Sequence, residues 1–191
     1  MTRRWLTKFA LLAVVASTIG CDQVTKHLAT VHLMGVPRQS FLGDSLRLEY
    51  AENSGAFMSL GADLPAWARI TVFVGGTGLI LVACAIAAFR NRRPVAQLAG
   101  FALVFAGGAS NLVDRIARGA VTDFLNVGIG TLRTGIFNVA DMAVMLGVAL
   151  LLFAPRLGVA AMNGPHNMPL HLTKAPRSRR DNEWPPWRLR R

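Results

Sequence analysis

"STIGCDQVTK", residues 17–26, is the stretch on which the reading of the whole chain turns. Arg3, Arg4 and Lys8 precede it, followed by an uncharged run over residues 9–21, which is the layout of a secretory signal with a cleavage site. The pair Gly20-Cys21 also suggests lipid attachment, and hence an exported lipoprotein whose function lies downstream. The apolar pattern, however, continues past Cys21 through Val24, Leu28, Val31 and Leu33, interrupted by Asp22 and Lys26. A cleaved leader needs no such continuation. Residues 6–33 therefore read as a retained first helix whose outer end rises past the bilayer surface.

Composition points the same way. Of the 191 residues, 52% are hydrophobic and only 16% charged, too apolar for an ordinary soluble domain. Residues 72–89 and 95–113 form runs of 18 and 19 residues without a charge, each about long enough to cross the hydrocarbon core. Residues 136–155 form a further segment of that length, with Asp141 near its start. The expected architecture is a mainly α membrane protein with four transmembrane helices.

Lys and Arg stay preferentially on the cytoplasmic side of a membrane. With both termini inside, Arg3, Arg4, Lys8, Arg90, Arg92, Arg93 and the basic residues beyond Ala154 fall on that side, which is most of the 21 in the chain. Only Asp181 and Glu183 are acids of that side; Asp22, Asp44, Glu49, Glu52, Asp63, Asp114, Asp123 and Asp141 fall at or beyond the outer ends. A net charge of +11 would suggest nucleic acid in a soluble protein. Here it flanks helices, so membrane lipid head groups are the expected partner and nucleic acid is not. Residues 158–191, ending "NEWPPWRLRR", are rich in Pro and Arg without an apolar period, and are expected to be a disordered cytoplasmic tail behind a membrane domain of residues 1–157.

Outside the membrane, loops 34–66 and 115–136 carry strand character. "SLRLEY", residues 45–50, alternates apolar and charged residues, and "VTDFLNVGIGTLRTGIF", residues 121–137, reads as a hairpin with Gly128 and Gly130 near its turn. They predict a small extracytoplasmic sheet on the outer helix ends. "ADLPAWARI", residues 62–70, predicts a short interfacial segment with Trp67 at head-group level. Cys21 and Cys84 lie at different depths and read as small apolar packing residues rather than a disulfide. His27 and His32, and His166 and His171, are spaced by five on opposite sides of the membrane, which puts neither pair on one helix face. No metal or cofactor is expected.

Four aspartates, Asp22, Asp114, Asp123 and Asp141, come from different segments but share roughly the depth of the outer boundary. Charges there are costly and commonly functional. Asp22 precedes Lys26 by four residues and Asp114 adjoins Arg115, so ion pairing and helix anchoring account for both. Asp123 and Asp141 stand in apolar surroundings, "VTDFL" and "FNVADMAV", with Arg118 and Arg133 the nearest basic residues. Two carboxylates in a low-dielectric pocket share one proton, so one can deprotonate water while the other protonates a scissile carbonyl. The plainer alternative is that Asp123 caps a turn and Asp141 caps the fourth helix, with Asn138 a rival cap.

Five motifs in order, "DQVTK" at 22–26, "NSGAF" at 53–57, "GGASNLVDR" at 107–115, "VTDF" at 121–124 and "FNVAD" at 137–141, make residues 1 to about 155 closely resemble the bacterial lipoprotein signal peptidases, also called signal peptidase II. The resemblance implies an integral-membrane aspartic protease of the inner membrane, with four helices and an extracytoplasmic half-barrel. Its expected substrates are prolipoproteins already carrying diacylglycerol on cysteine, and it is expected to act as a monomer without a cofactor. It implies Asp123 and Asp141 as the catalytic dyad, the pair that also lacks a local counter-charge. Asn53, Gly55, Gly108, Asn111, Arg115, Asn138 and Ala140 match positions that line or shape the substrate site, and Asp22 and Lys26 match the motif on the first helix. Thr18, three before Cys21, stands where a lipid-modified precursor would usually carry Leu, which again favours a retained helix. The tail past Pro155 is longer than the family pattern requires.

Two other classes remain as alternatives. A small transporter or proton pathway also uses intramembrane carboxylates, but these acids cluster at one surface instead of being spaced across the depth. A membrane-anchored lipoprotein is the other, and would incorporate a palmitate analogue at Cys21.

Overall fold

The computed structural model describes residues 3–55, 61, 63–89 and 93–162 of the chain. The expected tail from residue 163 on, with His166 and His171, lies outside the described residues, as do Ala56 and Phe57 of the second motif and Arg90 and Arg92. The chain divides into two units, Met1–Pro155 and Arg156–Arg191.

Helix α1 spans Arg3–Leu33. At 1.5 Å per residue it is about 46 Å long, more than the ~30 Å hydrocarbon core. The next span starts earlier than residue 72. Pro65, extended at ψ 149°, caps α2 (Ala66–Arg69), which runs through a π-helical stretch, Ile70–Gly75, into α3 (Gly76–Phe89). Thr71 Oγ1 donates to the Trp67 carbonyl at 2.9 Å, a back-bond that competes with the helical ladder where the geometry loosens. The expected interfacial segment is thus continuous with the helix it leads into.

Helix α4 spans Val95–Arg118, a turn beyond the charge at Asp114 where the uncharged run stops. Asp114 is buried against Lys26 of α1 rather than solvated, and left-handed Gly119 (φ 77°) ends the helix with its N–H on the Arg115 carbonyl. Helix α5 begins at Val139, after Asn138, and runs to Met162, past the Pro155 at which the apolar segment was expected to end. Among the described residues three helical segments are long and apolar enough to cross a membrane, Trp5–Leu33, Ala66–Ala88 and Val95–Arg118; the apolar stretch Val139–Phe153 is shorter.

Strands β1 (Gln39–Phe41), β2 (Leu46–Asn53), β3 (Val121–Ile129) and β4 (Leu132–Arg133) form one antiparallel sheet in that order. β1, only three residues long and fully exposed, has too little pattern to be read from sequence. Register slips by one residue between Leu48 and Ala51, a bulge in β2. Gly128 has no room for a side chain, since a Cβ would lie 2.4 Å from the Leu132 carbonyl oxygen.

The sheet packs on the outer part of α1 through Phe124, Ala29 and Leu33. Helices α4 and α5 meet at small residues: a Cβ on Gly107 would stand 2.3 Å from the Ala140 carbonyl oxygen, and one on Gly147 2.7 Å from that of Gly100. Cys84 is half-buried, but Cys21 is exposed rather than packed, because the inward face of α1 at that level belongs to Asp22 and Lys26; both thiols are free.

Candidate active site

After the β3–β4 hairpin the chain folds back along β3, and Phe137 pairs with Leu125. This sets Asn138 beside Asp123. Asn138 Nδ2 donates to Asp123 Oδ1 at 2.6 Å, while its backbone N–H donates to Asp141 Oδ2 at 3.2 Å. Its Oδ1 in turn accepts the Asp141 N–H at 2.9 Å. Asn138 is therefore the N-cap of α5, and Asp141 its reciprocal partner one turn in, so the rivalry between the two caps resolves into a capping box. Asp123 caps no turn; its remaining oxygen, Oδ2, accepts Asn53 Nδ2 at 3.0 Å. Asp141 Oδ1 accepts Asn111 Nδ2 at 2.9 Å.

All four carboxylate oxygens thus accept an N–H, and the three amides involved have fixed polarity. Asn53 Oδ1 accepts the Gly55 N–H at 3.0 Å, Asn138 Oδ1 accepts the Asp141 N–H, and Asn111 Oδ1 accepts Lys26 Nζ at 2.7 Å. Backbone N–H groups and an ammonium can only donate, so turning any amide would lose one bond and oppose like groups in another.

Behind Asn111 lies a cluster of charges out of contact with solvent. Lys26, 1% exposed, bonds Asp22 Oδ2 at 2.6 Å and Asp114 Oδ2 at 2.7 Å. Asp22 also accepts the Ser110 hydroxyl at 2.7 Å and the Ala140 N–H at 2.8 Å. Asp114 also accepts Arg118 at 2.5 Å and Gln23 Nε2 at 3.1 Å. The expected Asp114–Arg115 pairing is therefore corrected. Adjacent residues on a helix point about 100° apart, whereas Arg118, four on, shares the face of Asp114. Arg115 donates instead to the Gly55 carbonyl at 2.8 Å and lies 5.8 Å from the Phe73 ring centroid.

Of the residues singled out from sequence, Asp22, Lys26, Asn53, Asn111, Asp123, Asn138, Ala140 and Asp141 fall in this one hydrogen-bonded network, and Gly55 and Arg115 join it through Asn53. Gly108 faces elsewhere: a Cβ there would meet Leu81 Cδ2 at 2.9 Å. Its neighbour Gly107 is the glycine that brings α4 against Ala140. Gln23 and Ser110, which no sequence reading selected, complete the buried cluster; both lie inside the quoted motifs, but a Gln and a Ser in apolar helices carry no signal of their own.

Burial pushes the Asp123 carboxyl up to about 6, with the Asn53 and Asn138 bonds pulling it down and the Asp141 charge raising it. Two carboxylates bridged by one asparagine, Asp123 buried and Asp141 half-buried, can divide the roles of acid and base. Among the described residues no group of three or more His, Cys, Asp or Glu side chains is arranged to hold a metal ion.

The chain is similar to known proteins over most of its length. The family model described as Signal peptidase (SPase) II matches residues 14–155. A lipoprotein signal peptidase of Chlorobium phaeobacteroides is 34% identical over 75% of this chain and 86% of its own. One of Sphingopyxis alaskensis is 39% identical over 68% and 75%, and one of Yersinia pestis 32% identical over 86% and 93%. A bacterial membrane enzyme solved by the in meso method at 2.3 Å shares the fold, with a TM-score of 0.66 at 24% identity over 81% of this chain and 92% of its own. A second such structure, at 1.9 Å, has a TM-score of 0.65. With the family model spanning most of the sequence and relatives above 30% identity matched over most of their own length, the chain belongs to the signal peptidase II family and is a multi-pass membrane hydrolase of the aspartic-protease type.

Proposed function

We propose that the chain removes the signal peptide from diacylglyceryl-modified prolipoproteins, with Asp123 and Asp141 as its catalytic dyad. The observation that carries this reading is Asn138, which donates to Asp123 from its side chain and to Asp141 from its backbone and so holds both carboxyls to one centre. The ionised member takes a proton from water as the oxygen attacks the scissile carbonyl carbon. The protonated member donates to the carbonyl oxygen. The resulting tetrahedral diol then collapses, the carbonyl re-forms, and the amide nitrogen of the lipidated cysteine leaves with a proton from the dyad.

Arg115 and the Asn53–Gly55 turn supply donors and a close-approaching backbone for an extended peptide. The apolar part of α5 supports a fourth crossing, and the charge asymmetry supports cytoplasmic termini, so the dyad would face the outer boundary of the inner membrane. The acyl chains would then fix depth and register rather than supply net binding, much of which partition into the bilayer already provides. A monomer suffices for this site, since every residue invoked comes from one chain.

The test is cleavage of a diacylglyceryl-modified precursor by purified protein. Asp123→Asn and Asp141→Asn should insert and fold but lose cleavage by several orders of magnitude, because neither carboxyl can perform both proton transfers. Substantial turnover in either variant removes the dyad from the mechanism. Equal rates on modified and unmodified precursor in the same proteoliposomes would instead remove the lipid from recognition.

A further inference from the structure

Lys26 stands one residue away from the proposed dyad and touches neither carboxyl. Its ammonium has three acceptors, Asp22 Oδ2 at 2.6 Å, Asp114 Oδ2 at 2.7 Å and Asn111 Oδ1 at 2.7 Å. The two acids account for its burial, but they do not require the third bond, which leaves the ion-pair cluster and points at the site. Asn111 in turn has one firm partner on each side: the ammonium on Oδ1, and Asp141 Oδ1 on Nδ2 at 2.9 Å. The Asn138 amide approaches Asn111 Oδ1 at 3.3 Å as well, so two donors converge on that oxygen.

A side-chain amide can present either end to a neighbour, and which end it presents decides what that neighbour must be. With Nδ2 toward Asp141, Asn111 favours the ionised carboxylate, which can only accept. With Oδ1 toward Asp141, it would favour the protonated carboxyl, which donates. The Lys26 ammonium excludes the second arrangement, because it would then face Nδ2 and leave a buried cation opposed to a donor.

We propose that Lys26 is a positioning residue for Asp141, holding Asn111 in the orientation that keeps Asp141 ionised and able to take the proton from water. The inference rests on the dyad reading above and adds to it a second helix: α1 sets the charge state of an acid on α5 through an amide on α4. Asp22 serves the same end mechanically, since its bond to the Ala140 N–H ties the first turn of α5 to α1. Among the described residues, the charged groups facing Asp141 are Asp123 on β3, Arg115 on α4, and Asp22 and Lys26 on α1. The Lys26 charge favours the ionised form of Asp123 as well. Acting through Asn111, however, Lys26 discriminates between the two acids, because Asn111 bonds only one of them.

The experiment is the pH dependence of kcat and KM on a diacylglyceryl-modified precursor in detergent micelles. Lys26→Gln alone would leave Asp22 buried without its cation, so it is placed on Asp22→Asn, which removes one charge of each sign and leaves Asp114 with Arg118, and compared with Asp22→Asn alone. Asn111→Ala, which leaves the Lys26–Asp22–Asp114 cluster whole, is the second arm. In both arms the acid limb of kcat should move up by about one pH unit or more, with kcat on that limb falling about tenfold and KM unchanged. Combining Lys26→Gln with Asn111→Ala on Asp22→Asn should move the limb no further than the larger single effect, since both act through one amide. An unmoved limb in Asn111→Ala, or additive shifts in the combined variant, would overturn the inference while Asp123→Asn and Asp141→Asn remain inactive. Turnover surviving in those two would overturn the dyad itself, and this inference with it.

Discussion

Lys26 with Asp22 and Asp114, and Asp44 with Arg47 and Arg133, are two charge clusters of nearly the same geometry. Each contains a pair within one stretch of chain, Asp22–Lys26 at 2.6 Å and Asp44–Arg47 at 2.5 Å. Each reaches a distant element, Lys26–Asp114 at 2.7 Å and Asp44–Arg133 at 3.7 Å. Their solvents differ. The first trio is at most 1% exposed, whereas the Asp44 side chain, at the far end of the sheet, is 44% exposed. Coulomb attraction at such distances is several times stronger inside a protein than in water, but so is the cost of an unmatched charge. The buried cluster can therefore hold helices in one arrangement, and it is intolerant of losing a member. The exposed one is free to lose a member because water replaces it.

The largest expected effect follows from breaking the buried cluster at Asp22. Asp22→Ala leaves the Ser110 hydroxyl and the Ala140 N–H without their acceptor and takes one of its two carboxylates from Lys26, and removing one partner of a buried pair costs about 3–5 kcal/mol. Unfolding in a titration with denaturing detergent should move by that amount. A change under about 1 kcal/mol would mean that the cluster is hydrated in the folded protein and that the contrast with Asp44 is false.

Asp123 sharpens the comparison as a buried carboxyl that makes no ion pair among the described residues. Its folded value of about 6 lies above the ordinary 3.8, so the folded state binds the proton more tightly than the unfolded chain. Stability then falls as pH rises from 3.8 to about 6 and stays lower above, by about 3 kcal/mol. Asp123→Asn does not titrate. Its stability relative to the parent should rise by up to about 3 kcal/mol between pH 4 and pH 7, whatever its absolute offset. A flat difference over that range would place Asp123 in water.

Much of this arrangement is legible in the sequence, for identifiable reasons. Uncharged runs mark the spans because lipid admits little else, and Asp123 and Asp141 stand out because nothing near them in the chain could neutralise them. What is not legible depends on distance along the chain. Lys26 meets Asp114 across 88 positions, and the adjacent Arg115, which sequence offers first, points away. The end of α4 is misjudged because a charge marks the edge of an apolar run but not the edge of a helix; Asp114 stays helical by being buried against Lys26. Gly108 and Gly107 cannot be told apart without knowing which side of α4 faces α5.

That last distinction makes a smaller prediction about how the buried cluster is assembled. Gly107→Ala drives a Cβ to within 2.3 Å of the Ala140 carbonyl oxygen and 2.8 Å of Val144 Cγ2, and a backbone cannot step aside. Helices α4 and α5 must part, at about 1–3 kcal/mol, loosening the Asp22–Ala140 bond without touching a charge. Gly108→Ala crowds Leu81 Cδ2, the end of a flexible side chain, at 2.9 Å and meets Leu81 Cγ and Thr77 Cγ2 at ordinary contact distance, and should cost less in both stability and cleavage. Equal losses from the two would show that the α4–α5 approach does not support the cluster.

The smallest effect is expected at Asp44, although its hydrogen bonds are among the shortest in the molecule. The Arg47 guanidinium and the Ser40 hydroxyl hold its carboxyl well below the usual carboxylate range. A depressed acid contributes stability above its ordinary 3.8, lost as pH falls further. In an exposed pair most of that contribution is screened by solvent and salt. Backbone strain could confuse the test, since Leu42, Gly43 and Asp44 have successive φ values of 53°, 62° and 71°. Asn tolerates the left-handed region as well as Asp does, so Asp44→Asn removes the charge and leaves the turn intact. Its melting temperature at pH 7 and physiological salt should match the parent within replicate error. A deficit should emerge only at low ionic strength, and should shrink as pH falls below about 4, where the unfolded chain takes up the proton before the folded one does. A large deficit that persisted in 1 M salt would show that Asp44 holds the two hairpins together as firmly as Asp22 holds the helices, and solvent exposure would no longer separate the two clusters.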